Sequence, residues 1–100
     1  MDQKTKEQII DIEFALIAKL RPIFLAISTP LEEDDDLEIV IGCSQFSNKT
    51  IQERVSIVFK LISEYRGDIL DERLIVVQTF SSSELDNVLD DIFSQELFWN

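Results

Sequence analysis

Five consecutive carboxylates, Glu32, Glu33, Asp34, Asp35 and Asp36, lead through Glu38 into the apolar, β-branched stretch Leu37–Cys43. Carboxylates this close together have three readings: a solvated loop whose charge keeps a hairpin edge from aggregating, a negative surface for a cationic protein, or a divalent-cation site. In an extended backbone Asp34, Asp36 and Glu38 project to one side and Asp35 to the other. A calcium loop of the EF-hand kind needs a glycine at its sharp turn, and this run has none, which favours the protein-facing use. A second acidic group, Glu84, Asp86, Asp90, Asp91 and Glu96, lies near the end of the sequence beside the apolar Leu97-Phe98-Trp99. Trp99 with acid close by is suited to anchor an interface, because binding energy concentrates on large aromatics. The expected partner-contacting residues are therefore Glu32–Asp36, Glu38, Glu84, Asp86, Asp90, Asp91 and Trp99.

Other chemistries are removed by what the chain lacks. It has no histidine, one cysteine (Cys43) and two glycines (Gly42 and Gly67). Without imidazole there is no Ser-His or Cys-His dyad and no proton transfer by histidine near neutral pH. A single cysteine cannot build a structural zinc site, and two isolated glycines make no phosphate-cradling loop. An enzyme would have to use Asp34 and Asp36 as metal-holding carboxylates at a strand edge, as small nucleotidyltransferases do, but their Gly-Ser motif is missing. No cofactor is expected. Nine Lys+Arg stand against twenty Asp+Glu, a formal charge of −11, and no cation follows Arg73. Nucleic-acid backbones call for a basic stripe, so direct nucleic-acid binding is not expected.

The elements that position these groups follow from periodicity. Ile9, Ile12, Leu16 and Leu20 recur at helical spacing over residues 5–20, with Ile10, Phe14 and Ile17 widening the stripe. Pro22 ends that helix. Residues 23–28 are short, Ile-rich and bounded by Pro22 and Pro30, so they read as a strand rather than a restarted helix. Leu37–Cys43 is a second strand, paired with the first as a hairpin around the acidic loop. Ser44–Lys49 is turn chemistry. Thr50 and Glu53 form a capping box for a helix to about Arg66, with Ile51, Val55, Val58, Phe59, Ile62 and Tyr65 facing the core and Gly67 as a left-handed stop. Arg73–Phe80 is a β-branched strand. Ser81 with Glu84 caps a last helix whose Leu85, Val88, Leu89, Ile92 and Phe93 turn inward. The fold class is a small single α/β (α+β) domain of order α-β-β-α-β-α, with a mixed three-stranded sheet packed by helices. A right-handed crossover joins the second and third strands in parallel.

That order resembles the BolA-type proteins, together with the phrase Phe46…Ile51-Gln52-Glu53-Arg54-Val55-Ser56-Ile57-Val58-Phe59, over residues 37–80. In that family a strand, a phenylalanine and an Arg-His-bearing helix follow one another. Val55 occupies the histidine position, so the iron–sulfur ligation that the resemblance would imply does not carry over.

Composition favours a non-enzymatic acidic binding protein, specifically an immunity- or antitoxin-type inhibitor that occludes the basic groove of a nuclease-like toxin. The alternative is a BolA-like or secretion-chaperone-like adaptor in which apolar surface dominates; a small metal-dependent enzyme ranks third. No apolar run approaches the roughly 18–20 residues that span a bilayer, and a lone cysteine suits a reducing cytoplasm.

Overall fold

The computed structural model describes residues 3–28 and 36–87. Helix α1 (Gln3–Leu20) leads into strand β1 (Phe24–Ser28), which pairs antiparallel with β2 (Leu37–Gly42). A single 3₁₀ turn, Ser44–Phe46, precedes α2 (Ile51–Arg66). A short helix α3 (Ile69–Glu72) then leads to β3 (Ile75–Phe80), and residues 82–87 are helical, here α4. The sheet order is β1-β2-β3, with β3 parallel to β2, so the expected mixed three-stranded α+β domain is the observed fold.

The sheet has two unlike faces because side chains alternate along each strand. Leu37, Ile39 and Ile41 of β2 point to one face, where they meet Ile9, Ile12, Leu16 and Leu20 of α1 and Val58 and Ile62 of α2. Cys43, Phe46, Ile69 and Ile75 complete this core. Phe46 is its largest fully buried side chain, although the sequence places it in a turn. The 3₁₀ turn that carries it is tied to α1, since the Gln45 side-chain amide donates to the carbonyls of Lys19 and Leu20 and so satisfies two orphan acceptors of that helix end.

Both predicted helix starts and one predicted stop can be compared with the backbone. The Thr50 hydroxyl accepts from the Glu53 amide and the Glu53 carboxylate accepts from the Thr50 amide, each at 3.1 Å. Ser81 and Glu84 repeat the pattern, at 2.9 Å from the Ser81 amide to the carboxylate and 3.4 Å from the Glu84 amide to the hydroxyl. The expected left-handed stop at Gly67 is not there. Gly67 is helical (φ −58°, ψ −24°), and the chain turns through Asp68 directly into α3, an element with too few residues to show periodicity. Glycine is needed at this position for space, because a Cβ would sit 2.8 Å from the Ser63 carbonyl oxygen. The left-handed residue at a helix end is instead Arg21 (φ 47°), which closes α1 ahead of Pro22.

Candidate protein-interaction surface

Helix α1 is apolar around more of its circumference than one core can cover. Ile9, Ile12, Leu16 and Leu20 are buried, whereas Ile10, Phe14 and Ile17 are 61%, 70% and 49% exposed. These three were expected to widen the buried stripe; they form a second one, on the side facing away from the sheet. Spaced i, i+4 and i+7, they lie along one line of the helix surface and, with Glu13, enclose a shallow hollow. Contiguous exposed apolar surface of this kind marks contact sites, whereas isolated exposed apolar residues are ordinary. Ile51 and Tyr65 of α2, also expected inside, are exposed too, but they stand at opposite ends of their helix and form no shared strip.

The framework behind this strip is polar and tightly fixed. At the N-terminal end of α1, the buried Gln8 amide donates to Asp68 and Glu72, both at 3.1 Å. Arg66 bridges Asp68, at 2.8 Å, and Asp11, at 3.1 Å, while Lys4 pairs with Glu72. The Arg66 guanidinium, then the Gln8 amide, hold the Asp68 carboxyl well below the usual carboxylate range; Lys4, then Gln8, lower that of Glu72. These contacts lock α1 against the end of α2 and both ends of α3, so the exposed strip is carried on a fixed helix. At the far end of α2, Arg54 is buried. It donates through Nε to the Lys49 carbonyl at 3.1 Å and through Nη1 to Glu84 at 2.6 Å. Arg54, Val58 and Ile62 share one line of the helix, which is the signal that could have placed this arginine inward.

The acidic residues are placed less uniformly than their grouping in sequence implied. Asp36 is exposed immediately before β2, and Glu38 is exposed on the sheet face opposite α1 and α2. Glu84 is engaged within the fold: the Ser81 amide first, then Arg54, lower its carboxyl to about 2. Its charge is therefore met by the chain's own arginine, which was not anticipated. Asp86 is exposed on α4. Glu32, Glu33, Asp34, Asp35, Asp90, Asp91 and Trp99 lie outside the described residues. All nine cations lie within them, so the acid surplus is concentrated in the remainder of the chain.

Cys43 is fully buried, and burial pushes its thiol up, away from the reactive thiolate. No three His, Cys, Asp or Glu side chains converge as metal ligands among the described residues. No described helix is long and apolar enough to cross a membrane.

Solved structures place this architecture. BolA1 from Arabidopsis thaliana superposes with a TM-score of 0.62 at 18% identity, over 84% of this chain and 98% of that one. The fold is BolA-like. The BolA domain of SufE1 from the same plant gives 0.61 at 12% identity, over 84% and 98% of the two chains. A bol-like protein from Babesia bovis gives 0.59 at 16%, over 78% and 88%. No family model and no curated protein sequence matches the chain. These neighbours overturn the expectation of an immunity- or antitoxin-type toxin inhibitor, which rested on composition and the grouping of acidic residues; the element order of residues 37–80 was the better guide. Val55 is half-buried on α2.

Proposed function

We propose that this chain is a non-enzymatic adaptor built on a BolA-like domain, binding a partner protein through the outer face of α1. The observation that carries the reading is the strip Ile10–Phe14–Ile17, three large apolar side chains left in water on a helix whose opposite side is fully packed. A partner that covers them gains the burial free energy, about 25 cal/mol per Å² of apolar surface, on a surface that needs no rearrangement to accept it. The acid surplus then serves solubility and the exclusion of acidic competitors rather than the principal contact. The setting is the cytoplasm, in keeping with one buried, reduced thiol.

The test is site-specific photocrosslinking in the native cell. A photoreactive residue replacing Phe14 should capture one partner that the same residue at Ser56, on the exposed side of α2, does not. Binding of that partner, once purified, should weaken by about tenfold or more on Ile10→Ser with Ile17→Ser, the loss expected from removing two apolar anchors. Equal capture from positions 14 and 56, or unchanged affinity in the double variant, would refute the assignment of α1.

A further inference from the structure

The two edges of the sheet differ in how well they are covered. At β3, helix α2 packs on the inner side, where Ile75 is buried. On the outer face Leu85 of α4, 5% exposed, rests on Gly42 of the central strand, its Cδ2 2.9 Å from the position a Cβ there would take. Strand β1, at the other edge, has no buried residue: Phe24, Ala26 and Ser28 are exposed, and Leu25 and Ile27, which lean on the core, are half-buried. Ile23 prolongs the ladder, its amide donating to the Gly42 carbonyl at 2.8 Å, and is itself 61% exposed. An edge strand turns alternate backbone amides and carbonyls outward, where another strand can pair with them, and proteins commonly blunt such edges with lysine or proline. From Ile23 to Ser28 there is no charged residue and no proline. The charges stand at the two ends. Lys19 and Arg21, both exposed, precede β1; Asp36 and Glu38, both exposed, lie at its other end, with Glu38 directly opposite Ser28.

We infer that β1 pairs antiparallel with β1 of a second copy of this chain, about a two-fold axis at Ala26, so that the two three-stranded sheets become one. The charges identify the occupant. Antiparallel pairing sets the basic end of each strand beside the acidic end of the other, twice over, while the uncharged strand brings no like charges together along the seam. Parallel pairing of the same strands would set like ends side by side. With Ala26 opposite its own mate, Phe24 faces the small Ser28 of the other copy and Leu25 faces Ile27, so the apolar row on the inner side of β1 continues through the seam. The strip on α1 takes no part in this contact. Each copy keeps it, and the pair presents two, which raises the effective concentration for a partner that engages both. The inference rests on the β1 edge and stands whether or not α1 binds a partner.

Analytical ultracentrifugation of the full chain tests it. A seam of one strand pair is a small interface, so the dimer should appear as concentration rises from about 10 to 500 µM. Ala26→Lys places two like charges face to face at the axis and should raise the dimer dissociation constant by about tenfold or more, with the urea midpoint of the fold unchanged. Ile10→Ser with Ile17→Ser should leave the dimer intact. A chain that stays monomeric throughout, or a dimer indifferent to Ala26→Lys, would overturn the inference; a dimer lost only with Ile10 and Ile17 would overturn it too and give the contact to α1. Should Ala26→Lys not fold, Ala26→Cys decides, because the native Cys43 is fully buried and silent. Mild oxidation should link Ala26→Cys into a covalent dimer and leave Ser56→Cys, exposed on α2, a monomer, and equal yields from the two positions would overturn the pairing.

Discussion

Phe46, in a segment read as a turn, is buried, and Ile51, expected to face the core, is exposed; the difference can be measured. Phe46 sits in the 3₁₀ turn with no exposed surface, against the α1–β2–α2 core. Ile51, the first residue of α2, is 69% exposed. Truncating a buried Phe to Ala costs about 3–5 kcal/mol, from lost transfer energy plus the cavity left in a core too tightly held to collapse. The Gln45 side chain pins the turn to α1, which limits that collapse. Ile51→Ala removes surface that is already wet and replaces a β-branched residue by the best helix former, so its effect should stay within about 0.5 kcal/mol. With a urea m-value of roughly 1–3 kcal/mol/M, Phe46→Ala should lower the denaturation midpoint by about 1–5 M, and Ile51→Ala should leave it nearly unchanged. If Phe46→Ala does not fold, Phe46→Leu, expected near 1 kcal/mol, serves in its place. A midpoint shift for Ile51→Ala equal to that of the Phe46 variant would refute the account of which residues make the core.

Three further predictions follow from contacts described above. Thr50→Ala removes the hydroxyl that accepts the Glu53 amide and should cost about 1 kcal/mol by urea denaturation, with Thr50→Ser restoring most of it. Glu84 has a folded-state value of about 2 against an ordinary 4.5, so its contribution is fully present above pH 4.5 and is lost as pH falls from there through about 2. Glu84→Gln should therefore lower the melting temperature at pH 6 and converge with the parent by pH 2; parallel curves across that range would contradict the bridge. Gly42→Val should destabilise by placing branched carbons against Leu85, and Leu85→Ala should relieve part of that cost. Strictly additive effects would show that the two residues do not meet.

The parts of the fold legible in the sequence are those whose local chemistry and packing agree. The strand Leu37–Gly42, the Thr50–Glu53 cap and the crossover to β3 each had one consistent reading. The misread residues are those for which a pattern admits two answers. With large apolar residues at seven positions, α1 has no unique buried side, and periodicity alone could not assign Ile10, Phe14 and Ile17 to solvent. Arg54 was overlooked because a cation at a core-facing position signals burial only when its carboxylate is known, and Glu84 lies 30 residues away. Gly67 was read as a conformational stop, whereas the constraint is the approach of the Ser63 carbonyl, a tertiary fact that sequence does not carry. Net charge misled most, because it describes solubility and encounter rather than fold or task.

The most direct test of the adaptor reading is the affinity of the crosslinked partner, measured by calorimetry against salt for the parent chain and two variants. Contact through α1 predicts that Ile10→Ser with Ile17→Ser weakens binding by about tenfold or more, while Asp36→Asn with Glu38→Gln changes it little. It also predicts only a weak response between 50 and 500 mM salt, roughly threefold at most, because an apolar contact is not screened. Affinity that collapses with salt and with the acidic substitutions, yet is unaffected by the loss of Ile10 and Ile17, would contradict it.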